Sequence, residues 1–452
     1  MTNLFRPSVV ALLLSLSLGG CVSSEYQIPA QLTAEQPLPA QYQLEAAPAR
    51  WWQQLNDPQL MTLLQQAGAQ NASLLAASAN VKRYAALQSD AADNDLPQLT
   101  ASAGMERSQQ GKNGVVSSRY QQGASLAWQL DLSGAVALAE EAAQQDRDIA
   151  LLRLKEVQLA VLTQVARHYG DWLGAQLQID VAQANLANLA KTRTIVQAQL
   201  DAGSASALEL TRLQAQVYQV EAGLPALYLQ QSQAQLALAA LTAQTEVQLT
   251  KRSLPQFSQP LALSQWQDAL AKRPDLAIAE RQLAKAHTQL AIDKAAWYPQ
   301  LSLQGFLGFV SLGSVKTGSD QQSWSLAPSL SLPAADPMSV ADRIDASSAG
   351  TEVALQQYRA QLFAVVRDLK GSLDTYNQGR RAQLLQQQQL AASAEAVRLT
   401  QLRYQSGMAD FLQLLDAERE LLSARDQQAR LSLANYQHMV GLYQEFAAGL
   451  VL

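Results

Sequence analysis

The sequence repeats itself, and that constrains the fold more than any single motif. Leu96-Pro97-Gln98-Leu99 matches Tyr298-Pro299-Gln300-Leu301, and Asn71-Ala72-Ser73-Leu74 matches Arg273-Pro274-Asp275-Leu276, both at an offset of 202. Asp201-Ala202-Gly203-Ser204-Ala205 matches Gln405-Ser406-Gly407-Met408-Ala409 at an offset of 204. Two stretches, 98–224 and 338–452, contain no proline. Rich in Ala, Gln, Leu and Arg, they favour long helices. Leu355, Tyr358, Leu362, Val365, Leu369, Leu373 and Tyr376 step by threes and fours, as do Leu154, Val157, Val161, Val165 and Tyr169. That spacing is a coiled-coil-like seam. A helix of about 66 residues is about 100 Å long. Helices are expected near 57–94, 135–200 and 206–245, then 274–297, 338–403 and 410–447. Gly170, Gly174, Gly371 and Gly379 are the places where the long helices would break if they broke at all.

Strands are expected after the proline signposts, at 97–106 and 124–132, then 299–309 and 323–332. Ala124, Leu126, Trp128, Leu130 and Leu132 alternate with Ser125, Ala127, Gln129 and Asp131; Trp324, Leu326, Leu330 and Leu332 alternate with serines. Period two with one apolar side and a run of ~10 residues suits a tilted membrane strand. Trp128, Trp297, Tyr298 and Trp324 are placed at the membrane interfaces. Past the N-terminus no run of 18 apolar residues occurs, so entry into a bilayer requires a closed barrel. Four strands cannot close one, since the smallest bacterial barrels have about eight. Three copies supply twelve, and a cyclic trimer also lets the helices form one tube. The expected class is therefore mainly α with a small β part: a trimeric barrel of four strands per protomer, continued by a long helical coiled-coil tunnel, with two structural repeats per chain.

At the N-terminus, Arg6 precedes the short apolar run Val9–Leu18, which reads as an export signal and not a membrane span. Cys21 follows Leu18-Gly19-Gly20 in an arrangement that resembles a bacterial lipobox, where the cysteine is lipidated. Cleavage there removes Arg6 and takes the formal charge from −5 to −6. Val22 and Ser23 follow, without the Asp that retains lipoproteins at the inner membrane, so the outer membrane is the expected destination. Cys21 is the single cysteine, which excludes a disulfide framework and a cysteine-based zinc site. His168, His287 and His438 form no ligand motif, and neither metal nor cofactor is expected. With Lys+Arg 33 against Asp+Glu 38, nothing indicates a nucleic-acid partner.

Further signposts are Trp51-Trp52 followed by Asp57-Pro58-Gln59-Leu60, Arg273-Pro274-Asp275-Leu276 followed by Ala279-Glu280, and Trp297-Tyr298-Pro299-Gln300-Leu301. Arg403-Tyr404 with Gly407 and Leu414-Leu415-Asp416-Ala417 completes the set. In this order and behind a lipobox, the chain resembles a TolC-like outer-membrane factor of the lipoprotein subgroup (NodT/OprM/CusC type) of resistance–nodulation–division efflux systems. It departs from that family at Ala334-Ala335-Asp336-Pro337-Met338, where Leu-Phe-Asp-Gly-Gly-Arg is common, and at Ala243, where a glycine usually ends the first half. The division expected is a signal peptide 1–20, an extended segment 21–56, a first repeat 57–245, a linker 246–273, a second repeat 274–447 and a tail 448–452.

The resemblance implies a homotrimeric passive duct in the outer membrane that reaches into the periplasm, works with a periplasmic adaptor and an inner-membrane pump, and carries no catalytic site. A duct for type I protein secretion and a pore-less periplasmic coiled-coil lipoprotein are the alternatives. Gly203 and Gly407 each end a very long helix and fit a left-handed C-cap; the resemblance makes both turns the adaptor-docking tips. It also places Asp416 in an acidic ring that constricts the tube, with Leu412, Gln413 and Arg419 beside it. Three carboxylates in a ring repel one another and select against anions.

Overall fold

The computed structural model describes residues 51–109, 114, 116–250, 253–255, 270–313, 322–331 and 337–446. Cys21, the signal peptide, most of the extended segment, the 334–336 turn, Leu332, parts of the strand loops and of the linker, and the tail lie outside the described residues. After a short 3₁₀ helix at Trp51–Leu55 come α1 (Pro58–Gln70), α2 (Ala72–Asp93), β1 (Gln98–Gln109), β2 (Val116–Leu130), α3 (Ala135–Asp201) and α4 (Ala207–Leu241). Then follow α5 (Pro274–Ala295), β3 (Gln300–Leu312), β4 (Gln322–Ser331), α6 (Pro337–Gln405) and α7 (Phe411–Glu445). Both halves run through helix, hairpin, very long helix and returning helix, the first half carrying one further helix, α1, ahead of these among the described residues.

Local chemistry sets the ends. Asp57 caps α1, its Oδ1 accepting from the Gln59 and Leu60 amides at 2.9 and 3.1 Å, with Pro58 in the first turn. The expected single helix over 57–94 is broken at Asn71, whose backbone is extended (φ −62, ψ 125). The Asn71 Oδ1 accepts from the Ser73 and Leu74 amides, so one side chain closes α1 and opens α2. Asp131 Oδ2 opens α3 by accepting from the Val136 and Ala137 amides, both at 3.0 Å. The long helices do not break at their glycines. At three of them the missing side chain is needed for packing: a β-carbon on Gly170 would stand 2.2 Å from the Tyr436 ring, on Gly174 2.6 Å from Leu433, and on Gly379 2.4 Å from Asn435 Oδ1.

The chain forms two units. One holds residues 79–152 and 277–361 and contains the sheet. Its strands lie in the order β1-β2-β3-β4, all antiparallel. Each repeat contributes one hairpin, and β2–β3 joins them with Gly123 opposite Gly308. The register separates the faces. Leu99, Met105, Leu126, Trp128, Leu303, Leu307, Trp324, Leu326 and Leu330 share one; Thr100, Ser125, Gln129, Ser302, Gln304, Ser323, Ser325 and Ser329 share the other. Trp324 and Leu99 are 76% and 75% exposed, so the apolar face is bare in the single chain. Helices of this unit are held by polar contacts: Lys285 Nζ lies 2.6 Å from Asp146 Oδ1, and Thr288 donates to Glu141 at 3.1 Å.

The other unit, 34–78, 153–276 and 362–452, has a true core. Leu60, Val165, Tyr169, Leu238, Val440 and Tyr443 are completely buried in it. Trp51 stacks on Tyr443 with ring centres 4.8 Å apart, and Tyr169 donates to Asp57 Oδ2 at 2.7 Å. Arg273 bridges Asp275 at 2.7 Å and Glu445 at 2.6 Å, joining the start of α5 to the end of α7. No described helix is long and apolar enough to cross a membrane.

Candidate functional site

The two very long helices end alike. The Ser204 amide donates to Gln199 O at 2.8 Å and the Gly203 amide to Leu200 O at 2.9 Å. The Met408 amide donates to Arg403 O at 2.8 Å and the Gly407 amide to Tyr404 O at 3.0 Å. These paired bonds are the Schellman closure, which requires a left-handed residue; Gly203 and Gly407 have φ +77 and +74. Three residues on, the returning helices are capped. Ser206 Oγ accepts from the Glu209 amide at 3.4 Å, and Asp410 Oδ1 from the Gln413 amide at 2.8 Å. Ser206-x-x-Glu209 and Asp410-x-x-Gln413 carry the capping-box pattern, the signal by which sequence inspection finds these caps.

Behind the turns, Leu189, Val196, Leu213, Phe411, Leu415 and Leu422 form a small buried cluster. Polar bonds tie the four helices around it. Tyr404 of α6 donates to Gln199 of α3, and Thr192 of α3 donates to Glu418 of α7 at 2.7 Å. Burial of Glu418 raises its pKa above the ordinary carboxylate value, and its Oε2 has no hydrogen-bond partner among the described residues. Burial likewise raises the Tyr404 phenol, with the Glu209 charge adding to the effect.

Asp416, Leu412 and Gln413 stand together on the exposed start of α7, Leu412 being 47% exposed. Gln413 serves the cap through its amide. Arg419, expected beside Asp416, turns instead to α4, where its Nε donates to Gln216 Oε1 at 2.9 Å. The expected interface aromatics fall at two levels. Trp128, Trp297 and Tyr298 lie near the strand ends that adjoin the helices, Trp128 donating to Asp95 O at 3.0 Å. Trp324 lies two residues from the opposite end of β4. Among the described residues no His, Cys, Asp and Glu cluster could hold a metal.

The family model described as "Outer membrane efflux protein" matches this chain twice, over 63–244 and 266–447, and the chain belongs to that family. It is an outer-membrane efflux protein. It is 29% identical over 456 residues to the pyoverdine export outer membrane protein OpmQ of Pseudomonas aeruginosa, covering 96% of this chain and 95% of the relative. The solvent efflux pump outer membrane protein SrpC of Pseudomonas putida is 27% identical, with 96% of each chain covered. Among solved structures, the outer-membrane channel OprN superposes with a TM-score of 0.88 at 30% identity, covering 95% of this chain and all of the other. CusC shares the fold, with a TM-score of 0.84 at 22% identity over 93% of this chain and 98% of that one.

Proposed function

We propose that this chain is the outer-membrane channel of a tripartite efflux system, a passive duct and not an enzyme. Three copies close a twelve-stranded barrel and a helical tunnel, a periplasmic adaptor docks on the turns at Gly203 and Gly407, and an inner-membrane pump supplies the energy. The observation that carries this reading is the open four-stranded sheet, with one bare apolar face and unpaired β1 and β4 edges among the described residues. A barrel completed by neighbours satisfies both edges and turns the apolar face to lipid. The names of the relatives, a pyoverdine exporter and a solvent efflux protein, favour small organic molecules as cargo. Asp416 and Leu412 line the constriction. Cys21 carries the lipid anchor; Cys21→Ser abolishes palmitate labelling if this is right, and persistent labelling refutes it.

Light scattering of the detergent-extracted protein tests the assembly. A mass near three protomers is expected, and a monodisperse helical monomer overturns the shared barrel. Gly203→Val and Gly407→Val test docking: efflux in cells falls while the trimer persists, and unchanged efflux in both variants removes the turns from the docking surface.

A further inference from the structure

The two returning helices present matching exposed faces. Leu208 and Leu412 each stand two residues past a cap, at Ser206 and Asp410, and are 58% and 47% exposed. Four residues further, one turn along the same face, stand Arg212 and Asp416, both exposed. Both pairs lie 204 positions apart, the same offset that separates Gly203 from Gly407. The apolar layer is thus repeated unchanged, while the layer above it is repeated with its charge inverted.

Most other charged side chains near the turns are engaged within the chain. Asp201 accepts from Gln197 at 2.9 Å, Arg403 donates to Met408 O at 3.3 Å, Arg419 to Gln216 at 2.9 Å and Arg425 to Asn185 at 3.3 Å. Arg212 and Asp416 have no hydrogen bond or ion pair among the described residues. Each is a charge without a partner among the described residues, at the position where the other repeat holds its opposite.

We propose that Arg212 completes the constriction, so that the mouth of the assembled tube is a ring of alternating Arg212 and Asp416 side chains, each pairing with a second copy of this chain. This rests on the trimeric reading and on Asp416 as a constriction residue. Three carboxylates at one level repel one another. Three guanidinium groups interleaved with them cancel the charge and offer forked donors that match a carboxylate. Such a ring closes the mouth by attraction, above an apolar collar of Leu208 and Leu412, and at rest it favours neither cations nor anions.

The test is single-channel recording of the full-length trimer in planar bilayers under asymmetric KCl, with trimer mass checked by light scattering. Asp416→Ala leaves three unbalanced guanidinium groups, so its reversal potential moves toward anion preference. Arg212→Ala leaves three carboxylates and moves it the opposite way. Both raise conductance. The exchange Arg212→Asp with Asp416→Arg returns conductance and reversal potential to wild type. If Asp416→Ala alters the current and Arg212→Ala does not, the mixed ring is overturned while the Asp416 constriction stands. If neither variant differs from wild type, the constriction reading falls as well. If both single variants shift but the exchange restores nothing, the charges act separately and the pairing is wrong.

Discussion

Helix α4 begins and ends in reversals of the same design made from different residues. At its start the left-handed position is Gly203, around which a β-carbon would find nothing within 4 Å. After its end the position is Ala243, with φ +54, and the Gln244 amide closes the turn on Ala239 O at 2.8 Å. Alanine is ill-suited to that region, at a cost of about 1–2 kcal/mol. The surroundings hold it there. Thr242 is completely buried and donates to Leu238 O at 2.8 Å, and Asn71 Nδ2 donates to Leu241 O at 3.0 Å. Strain persists where neighbouring structure over-determines the backbone. The exposed turn has no such support, so its residue must adopt the conformation unaided.

Removing the support breaks this contrast most severely. Leu238 is completely buried beneath the Ala243 turn, and Leu238→Ala costs about 3 kcal/mol, measured as a lowered denaturant midpoint of the helical signal in detergent. Leu208→Ala, at the exposed start of α4, leaves that midpoint within about 0.5 kcal/mol of wild type. Asn71→Ala ranks next at about 2 kcal/mol, because it removes a cap and strips the Leu241 carbonyl of its donor; an unchanged midpoint would show that the Ala243 turn holds itself.

Exchanging the turn residues sharpens the contrast by sign. Ala243→Gly stabilises by about 1 kcal/mol, and Gly203→Ala destabilises by about the same amount. Equal signs in the two denaturation curves would show that Ala243 carries no backbone strain. The smallest effect belongs to Glu418. Burial raises its folded pKa, so the proton is held more tightly in the folded state than in the unfolded one. Its contribution to stability is present below the unfolded pKa and is lost as pH rises through the higher folded value. Glu418→Gln therefore leaves the melting temperature at pH 7.5 equal to wild type or about 2 °C above it, and reduces the fall in stability between pH 4.5 and 7.5. A lower melting temperature at pH 7.5 would mean that the carboxylate is needed.

The long helices and the strands were legible because absence of proline and period two act over many residues. Position-specific chemistry was less so. Asn71 interrupts a continuous apolar pattern through its own side-chain hydrogen bonds, which periodicity does not register. Ala243 was visible as a departure from glycine, but its positive φ depends on distant partners such as Asn71. The β2–β3 pairing was hidden because alternation states which face a residue takes and not which strand lies beside it. At the candidate site the two glycines announced their turns. Arg419 did not announce that it bonds to Gln216, a contact across 203 positions of sequence.

The edges of β1 and β4, unpaired among the described residues, carry a consequence for genetics. They belong to different repeats and lie at opposite sides of the sheet, so in the proposed trimer each chain offers one edge to the copy before it and another to the copy after it. Closure of this head-to-tail kind has no spare contact. A chain whose β1 edge is blocked but whose β4 edge is sound still enters the ring and spoils it for two normal copies. With equal expression of both forms, only about one trimer in eight contains three sound chains. Edge-blocking alleles are therefore dominant over wild type, whereas alleles that destroy the helical core and remove the chain before assembly are recessive.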